Sequence, residues 1–457
     1  MRDVSDIVKA YDIRGVVPDQ LDAELARAFG AAFAELVRTP SRTERRDSIV
    51  IGYDMRPSSP ELAAAFADGV TAQGLDAVLI GLASTDMLYF ASGHLGLPGA
   101  MFTASHNPAQ YNGIKLCLSG ASPVGQDTGL AQLRDRVNAG QPSPQPGAPR
   151  GTISERDLLT AYADFLHGLV DIRGSRQLTV VVDAGNGMGG YTVPAVLSGL
   201  PLRVVPLYFE LDGTFPNHEA NPIEAANMVD LQKAVLAEGA DLGLAFDGDA
   251  DRCFVVDERG EIVSPSTITA LVAERELARE PGGTVIHNLI CSRTVAEVVR
   301  ESGGTPVRTR VGHSFIKEVM ASTGAIFGGE HSGHFYFRDF WRADSGMLAA
   351  LHVLAALGRQ DGTLSALLAP YDRYVASGEI NTTVADAAAR MAAVEAAYTG
   401  RDGIEIDHLD GLTVSAADWW LNLRPSNTEP LLRLNAEAVD VATMERVRDE
   451  VLLVVRG

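Results

Sequence analysis

Ser48-Ile49-Val50-Ile51-Gly52-Tyr53-Asp54 is the stretch that decides the fold class of this chain. Its apolar and β-branched run predicts a buried strand. A helix is predicted to follow from Pro60, because Ser58 or Ser59 can cap it and proline suits its first position. Ala77-Val78-Leu79-Ile80-Gly81 predicts a second buried strand. A strand, a helix and another strand in succession indicate an α/β domain with a parallel or mixed sheet.

The same alternation continues through most of the 457 residues, so several such domains are expected. Gly140–Pro149 is rich in proline and glycine, which favours a linker at the end of the first domain. A helix near Ser154 and the strand Leu178–Asp183 are expected to open a second unit. A third is expected from about Asp257 to Gly362. From Ile404 to Glu437, strand-like stretches without long helices indicate a small α+β domain.

Composition restricts the class of partner. No apolar run approaches the roughly 20 residues that cross a bilayer, and the acidic start does not resemble a signal peptide. Three cysteines far apart favour a reducing cytoplasm over a disulfide framework. With 59 acidic and 38 basic side chains, the net charge of −21 argues against nucleic acid. A small phosphate ester, however, needs only a local cluster of cations and N–H groups.

The first of four polar loops reads Thr103-Ala104-Ser105-His106-Asn107-Pro108, with Lys115 following. A strand that runs into such a turn places a hydroxyl at a sheet edge, where open α/β sheets bind ligands. Ser105 is a candidate nucleophile, although serine is weak unless a base, a cation or a metal activates it. The alternative is an ordinary turn in which serine and asparagine bond the local backbone. No G-x-S-x-G elbow indicates a hydrolase.

The second loop is Asp247-Gly248-Asp249-Ala250-Asp251-Arg252, between apolar strand-like stretches. Three carboxylates at alternate positions repel one another, and a bound divalent cation explains their clustering. Oxygen ligands favour a hard ion such as Mg²⁺. An EF-hand is disfavoured, since Arg252 stands where that loop needs glycine. A solvated acidic turn is the other alternative, which the apolar flanks disfavour.

The third loop is Gly328-Gly329-Glu330-His331-Ser332-Gly333-His334. Its glycines allow close approach of backbone and ligand, and its polar side chains supply the donors and acceptors that a polyhydroxylated ligand needs. Zinc is conceivable with His331 and His334, but their spacing within a glycine turn matches no metalloprotease signature and no cysteine is near.

The fourth loop is Arg424-Pro425-Ser426-Asn427-Thr428-Glu429-Pro430. A guanidinium, two hydroxyls, an amide and turn N–H groups make a suitable cradle for phosphate. It is not a Walker loop. The alternative is a plain connection between two strands. Taken together, the four loops indicate phosphoryl transfer on a sugar phosphate, because Mg²⁺ can polarise phosphoryl oxygens and stabilise serine as a leaving group.

The chain also resembles the α-D-phosphohexomutases over nearly its whole length. The matching motifs, in the family's order, are Lys9–Gly15, Gly52–Ser58, Thr103–Pro108, Asp247–Arg252, Gly329–His334 and Arg424–Pro430. The resemblance implies three related α/β domains with mixed sheets and a C-terminal α+β domain around a central cleft. The implied domains are 1–145, bearing a phosphoserine; 150–256, binding the metal; 257–366, recognising the sugar; and 367–457, binding phosphate.

The resemblance also implies roles for single residues. The implied ligands of one Mg²⁺ per chain are Ser105, as phosphoserine, with Asp247, Asp249 and Asp251. The implied catalytic residues are Ser105, Lys115, His334, Arg14 and Arg252, with His334 and Lys115 as candidates for acid–base work. The implied substrate-binding residues are Tyr11, Gly312, His313, Glu330, Ser332, Arg424, Ser426, Asn427 and Thr428.

The implied activity interconverts hexose 6-phosphate and hexose 1-phosphate through a bisphosphate, with hexose 1,6-bisphosphate as activator. Glu-His-Ser-Gly-His favours mannose, with glucose possible, because the glucosamine branch usually has glutamine at the position of His331. Ile290 stands where some relatives carry lysine, so one ligand contact is missing or replaced. A cytoplasmic monomer or homodimer is expected, with hexose phosphates as its partners.

Two other functions stay open. A haloacid-dehalogenase-type phosphotransferase would use Asp247 as nucleophile, but Asp251 stands where its motif usually has threonine. A catalytically silent sugar-phosphate sensor would keep the ligand-binding residues and lose turnover. The presence of both Ser105 and the acidic loop argues against such a sensor.

Overall fold

Helices and strands alternate along the chain as the sequence predicts. The structure, a computed structural model, describes residues 3–38, 47–140, 149–425 and 431–457. The chain divides into two compact units. The first unit comprises Met1–Ser264 and Ser332–Ala366, and the second comprises Pro265–His331 and Leu367–Gly457. Within the described ranges, no helix combines the length and the apolar character that a bilayer span requires.

The first sheet forms around the strand predicted at residues 48–53. Its elements are β1 (Ile13–Val16), α1 (Ala23–Val37), β2 (Ser48–Tyr53), α2 (Ser59–Ala72), β3 (Asp76–Leu82), α3 (Thr85–Leu95), β4 (Gly99–Phe102), β5 (Tyr111–Leu118), β6 (Ser122–Pro123), α4 (Ala131–Ala139) and β7 (Ile153–Glu155). The strand order is β1-β5-β4-β2-β3-β7, with β6 on β5. Since β2 is parallel to both β3 and β4, the carboxyl ends of these three strands share one edge.

One prediction in this region is wrong. Ser154 lies not in a helix but in β7, which pairs in parallel with β3. Asp76 Oδ1 accepts from the Thr152 N–H and hydroxyl at 2.7 and 2.8 Å, which anchors the returning chain to the open edge of the sheet. The helix begins instead at Leu159. Most of the predicted linker lies outside the described residues, and the domain boundaries stay predictions.

The second sheet carries the acidic loop. Its elements are α5 (Leu159–Leu169), β8 (Leu178–Asp183), α6 (Gly189–Leu197), β9 (Leu202–Leu207), α7 (Val229–Glu238), β10 (Leu242–Phe246), β11 (Cys253–Asp257) and β12 (Ile262–Val263). The strand order is β12-β11-β10-β8-β9. β8 and β10 are parallel, whereas β10 and β11 form an antiparallel hairpin. Every residue of this hairpin's two strands is buried, so its loop stands on a rigid base.

The next elements are α8 (Pro265–Arg279), β13 (Thr284–Asn288), α9 (Arg293–Glu301), β14 (Thr305–Thr309), α10 (His313–Thr323) and β15 (Phe327–Gly329), all in the second unit. β13 lies between β14 and β15 and is parallel to both. The chain then contributes β16 (Phe335–Phe337), β17 (Ala343–Asp344) and α11 (Gly346–Gly358) to the first unit. β16 and β17 are antiparallel, and α11 is buried along its whole length.

The last elements are α12 (Leu364–Leu368), β18 (Val375–Ala376), β19 (Ile380–Thr383), α13 (Ala387–Tyr398), β20 (Glu405–Asp407), β21 (Leu412–Ser415), β22 (Trp419–Pro425), β23 (Leu431–Ala438) and α14 (Val441–Arg456). The antiparallel sheet runs β18-β23-β22-β21-β20, with β19 also on β23. Leu421, Leu434 and Val447 belong to its apolar core. The predicted fold class, α/β with mixed sheets and a final α+β domain, is confirmed.

Candidate functional site

Ser105 lies in the turn between β4 and β5, with 2% of its surface exposed. Its φ of 51° is in the left-handed region, which residues other than glycine rarely adopt. Its Oγ donates to Asp247 Oδ2 at 2.9 Å and lies 3.2 Å from His106 Nδ1. Such a backbone conformation persists only when the surroundings hold it in place.

The fully buried Arg56 supplies much of that hold. Its Nη2 donates to the carbonyl oxygens of Ser105 and Asn107 at 2.9 and 2.7 Å. Its Nη1 donates to a further carbonyl oxygen of the loop at 2.8 Å and to that of the first residue of β5 at 2.9 Å. Asp54 balances its charge, with Oδ2 3.1 Å from Nε. Arg56 lies in the matching motif Gly52–Ser58, where the sequence predicts no role for it, and the structure shows that it fixes the backbone around Ser105.

The acidic loop, residues 247–252, meets the Ser105 turn. Its three aspartates are buried, and one carboxylate oxygen of each lies within 4.8 Å of the others. Gly248 permits the approach, because a Cβ there would lie 2.4 Å from the Ser105 carbonyl oxygen. Two loops that the sequence presents about 140 residues apart therefore form one cluster.

Lys115 on β5 is the cation closest to these carboxylates. Its Nζ lies 2.7 Å from Asp249 Oδ2 and 2.6 Å from Asp251 Oδ2. Burial opposes the charge of Lys115, but the two carboxylates raise its pKa well above the ordinary value. Burial likewise opposes the charge of Asp249, yet Lys115 holds its pKa below the ordinary value. Burial and repulsion from Asp251 and Asp249 raise the pKa of Asp247 to about 8.

The acidic cluster can hold a metal ion. Asp249 Oδ1 and Asp251 Oδ1 are buried and have no hydrogen-bond partner in the described parts of the chain. Leaving a charged oxygen buried and unpartnered is costly, and a cation would remove that cost. Three converging carboxylates offer oxygen ligands, which fit a hard divalent cation. A second candidate group, Asp251, His334 and Asp344, shares one aspartate with them.

Arg252 contacts both loops of the cluster. Its Nε lies 3.5 Å from Asp247 Oδ2, and its Nη2 donates to His106 Nδ1 at 3.1 Å. Arg252, and then burial, lower the pKa of His106 well below the ordinary value, so its ring is neutral and Nδ1 can accept. Arg252 therefore lies beside the Ser105 turn, with His106 as a partner that the sequence alone did not reveal.

Arg14 on β1 contacts the Ser105 turn through Asn107, whose side-chain oxygen accepts from Nη1. Its other amino group pairs with Asp12. Burial opposes its charge, but Asp12 and, after it, the acidic loop raise the pKa of Arg14 above the ordinary value. Its charge thus acts on the cluster through space. Tyr11, just before β1, is half-buried.

His334 is buried and forms a backbone bridge with Arg252. Its Nδ1 lies 2.9 Å from Asp344 Oδ2 and 3.7 Å from Asp251 Oδ1. Burial opposes protonation, but Asp251 and Asp344 raise the pKa of His334 above the ordinary value. Asp344, at the end of β17, thus orients the ring, a role that the sequence alone did not reveal. Ser332, two residues earlier, is half-buried.

Glu330 lies in the second unit, directly after β15, and is 2% exposed. Its Oε1 accepts from the Gly312 N–H at 3.1 Å and from Asn288 Nδ2 at 3.3 Å. Gly312 stands at the N-cap of α10, which begins at His313. Two stretches that the sequence analysis assigned to substrate binding are therefore neighbours.

Ile290, the position at which some relatives carry lysine, is buried in the same unit. It packs with Leu289 and Trp420 in a small apolar cluster. An isoleucine there offers no charged contact to a ligand, and its side chain instead packs the segment that follows β13 against Trp420 of β22.

Arg424 lies near the end of β22 and makes an ion pair with Glu379, whose Oε2 is 3.1 Å from Nη2. The other oxygen of Glu379 is 3.1 Å from Arg433 Nη1. The Nε atoms of both arginines are buried without a partner in the described ranges. Ser426, Asn427 and Thr428 of the same loop lie outside the described residues.

Thr85 is a further residue of the cluster that the sequence analysis missed. It opens α3, at the carboxyl end of β3, and its hydroxyl donates to Asp249 Oδ2 at 2.5 Å. The available signal was positional, because polar residues that follow parallel strands collect at one sheet edge. Thr85 follows β3, and Ser105 follows β4, which lies on the other side of β2 in the same sheet.

Four family models match the chain in order along its length. Their descriptions read Phosphoglucomutase/phosphomannomutase, with alpha/beta/alpha domain I over residues 5–143, domain II over 160–260, domain III over 264–374 and the C-terminal domain over 379–454. The four matches together span most of the sequence.

Individual proteins match over nearly the full length as well. The phosphohexose mutases of Xanthomonas campestris are 42% identical over 453 residues, which cover 98% of this chain and 99% of theirs. The phosphomannomutase of Escherichia coli K12 is 39% identical over 447 residues, 96% of either chain. The crystal structure of a phosphoglucomutase/phosphomannomutase family protein of Burkholderia thailandensis superposes with a TM-score of 0.89 at 36% identity, covering 98% of this chain and 97% of the other.

Proposed function

Because the chain belongs to the phosphoglucomutase/phosphomannomutase family, we propose that it interconverts hexose 6-phosphate and hexose 1-phosphate through a phosphoryl group carried by Ser105. Family membership makes the protein a phosphohexomutase, an isomerase that acts as an intramolecular phosphotransferase. The observation that carries the assignment to Ser105 is its hydrogen bond to Asp247 within a group of three buried carboxylates. A buried hydroxyl at the meeting point of a metal-binding loop and several cations is suited to phosphoryl transfer.

We assign Mg²⁺ to the acidic cluster, one ion per chain. Asp247, Asp249 and Asp251 would hold it, and an oxygen of phosphorylated Ser105 would complete the set of ligands. When bound, the ion supplies charge neutralisation at the phosphoryl oxygens and at the serine oxygen. Asp249 Oδ1 and Asp251 Oδ1 support this assignment, because neither has a hydrogen-bond partner among the residues that the structure describes.

In the first half-reaction, the bond between phosphorus and Ser105 Oγ breaks while a bond forms to O1 or O6 of the hexose phosphate. The attacking hydroxyl loses its proton, and the product is hexose 1,6-bisphosphate. The bisphosphate then reverses its orientation. Ser105 Oγ forms a bond to the phosphorus of the other phosphoryl group while the bond from that phosphorus to the sugar oxygen breaks. A proton returns to this sugar oxygen. Added hexose 1,6-bisphosphate would therefore activate protein that has lost its phosphoryl group.

Residues of this chain would handle charge and protons in these steps. Arg252 and Arg14 would offset the charge of the phosphoryl group. Lys115 is engaged by two carboxylates, which favours a role in charge balance. We therefore favour His334 as the acid–base group, with transfer at Nε2 because Nδ1 is bonded to Asp344.

The second unit would supply much of the substrate recognition. We assign the binding of sugar hydroxyls to Glu330, and we assign the same role to Ser332. Additional contacts are assigned to Tyr11, Gly312 and His313. The phosphate that is not being transferred is assigned to the loop formed by Arg424, Ser426, Asn427 and Thr428. The buried Nε of Arg424 has no hydrogen-bond partner within the described ranges, which supports an anion at this position.

Mannose phosphates are the preferred substrates in this proposal, with glucose phosphates as the second choice. The name of the Escherichia coli relative supports mannose, whereas the Xanthomonas relatives are named for hexoses in general. We place the protein in the cytoplasm as a monomer or homodimer. Its three buried free cysteines are consistent with a reducing compartment.

Two measurements test the proposal. Mass spectrometry after incubation with hexose 1,6-bisphosphate should locate a phosphoryl group on Ser105, whereas a phosphoryl group on Asp247 would support the haloacid-dehalogenase-type alternative. A comparison of kcat/KM for mannose 1-phosphate, glucose 1-phosphate and glucosamine 1-phosphate should rank mannose first. A protein that binds these esters and turns over none of them would be a sensor.

A further inference from the structure

Thr85 holds Asp249 by two separate hydrogen bonds. Its hydroxyl donates to Asp249 Oδ2 at 2.5 Å, and its backbone N–H donates to the Asp249 carbonyl oxygen at 3.0 Å. Thr85 is the first residue of α3, which follows a strand of the first sheet. Asp249 lies in the loop between β10 and β11 of the second sheet. One residue therefore fixes both the backbone and the carboxylate of an assigned metal ligand.

The first turn of α3 is itself firmly held. Asp86, the next residue, is fully buried, and its Oδ2 accepts from the Tyr162 hydroxyl and the Ser345 hydroxyl at 2.7 Å each. The N-cap hydroxyl of Ser84 donates to the other oxygen of Asp86. These contacts tie α3 to α5 and to the start of α11. Thr85 consequently cannot follow Asp249 if that carboxylate rotates.

As a result, the two carboxylate oxygens of Asp249 differ in their hydrogen-bond partners. Oδ2 accepts from both Thr85 and Lys115, whereas Oδ1 is buried and has no partner among the described residues. A carboxylate held by one oxygen presents the other in a fixed direction. Outer contacts of this kind raise metal affinity because the ligand loses less freedom on binding.

We propose that Thr85 is a positioning residue of the metal site, one that orients Asp249 so that Oδ1 is presented to the cation. The inference rests on the proposed assignment of a divalent cation to the acidic cluster. Thr85 touches neither the substrate nor the cation in this scheme. Its effect therefore appears first in metal affinity, and in turnover only when the metal is scarce.

The test is a titration with Mn²⁺, followed by electron paramagnetic resonance, on the full-length protein without hexose phosphates. Thr85→Val removes the hydroxyl and keeps the shape of the side chain. Thr85→Ser, the matched control, keeps the hydroxyl and removes only the methyl group. Valine should weaken Mn²⁺ binding by about tenfold or more, the range found for lost outer contacts. Serine should keep most of the affinity. Turnover of the valine variant should recover at high Mg²⁺.

Thermal unfolding in the presence of chelator shows whether each variant is folded. If the methyl group that valine has in place of the hydroxyl prevents folding, Thr85→Ala is measured instead of Thr85→Val. Unchanged Mn²⁺ affinity in a folded Thr85→Val or Thr85→Ala protein would overturn the inference while the proposed function stands. An equal loss in Thr85→Ser would overturn it too, since the hydroxyl would then not be the group that matters. If the unaltered protein binds no Mn²⁺, the metal assignment itself fails.

Discussion

The acidic loop and the Arg424 region differ in how far their charged side chains are exposed to solvent. In the loop, the side chains of Asp247, Asp249 and Asp251 are at most 1% exposed, and Lys115 is 13% exposed. Around Arg424, which is 14% exposed, the partner Glu379 is 27% exposed and Arg433 is 33% exposed. The carboxylates of the first region are taken out of water, whereas solvent still reaches the carboxylate of the second.

The difference has energetic consequences. Removing one partner of a buried ion pair leaves the other charge uncompensated, which costs about 3–5 kcal/mol. An ion pair that solvent reaches contributes only about 0–1 kcal/mol. A region with buried charges is arranged before the substrate arrives, and a region with solvated charges can exchange one anion for another. The first suits chemistry on the phosphoryl group, and the second suits its reversible binding.

The largest effect is expected from Ser105→Ala. The change removes the proposed carrier at the centre of the buried region, so turnover should fall by about a thousandfold or more, roughly 4 kcal/mol at about 1.36 kcal/mol per tenfold. Coupled assays of hexose phosphate isomerisation measure the change. Hexose 1,6-bisphosphate should not rescue the variant. Ser119→Ala, at an exposed serine just after β5, is the control. Near-normal turnover by Ser105→Ala would contradict the mechanism.

The second largest effect is expected from removal of the metal. Chelation should abolish turnover and Mg²⁺ should restore it, because three buried carboxylates then lack their counter-ion. Asp249→Asn should lower turnover by about a hundredfold, since it removes a ligand and one partner of Lys115. Asp135→Asn, at an aspartate 68% exposed, is the matched control. Full activity in metal-free buffer would show that the buried region works without a cation.

The sequence predicted the buried region better than its supporting contacts. The alternation of strands and helices, the Ser105 turn and the acidic loop were visible because each is a local pattern, and the family resemblance is confirmed by full-length matches. The contact of Thr85 with Asp249 was not visible, since 164 residues separate the two, although the place of Thr85 after a predicted strand was. The local sequence predicts a helix near Ser154, whereas the structure has a short strand there. That strand forms only by pairing with the open edge of β3, which is distant in sequence. Long-range contacts of this kind carry no local signal.

In the solvated region, Arg424→Ala should act mainly on binding. The guanidinium is proposed to hold the phosphate that is not transferred, an interaction present in the ground state and the transition state alike. KM should therefore rise by about tenfold or more while kcat changes little, as steady-state kinetics with mannose 1-phosphate will show. Arg446→Ala, an exposed arginine on α14, is the control. A collapse of kcat with unchanged KM would mean that Arg424 takes part in the chemical step.

The smallest effect, and the sharpest test of the comparison, is expected from Glu379→Gln. In this structure the Glu379 carboxylate bridges Arg424 and Arg433 at 3.1 Å to each. A phosphate that binds Arg424 must replace this carboxylate or lie beside it, and in either case it meets a like charge. A neutral glutamine keeps the shape and removes the repulsion, so KM should fall by about two- to fivefold, consistent with an ion pair worth about 1 kcal/mol or less. The gain should shrink as salt is raised, because solvent reaches this pair and screens it. The stability of the protein should hardly change, in contrast to the loss expected when Lys115 is removed from the buried cluster. A rise in KM would show instead that Glu379 orients Arg424 for its ligand, and that the second region is arranged in advance as the first one is.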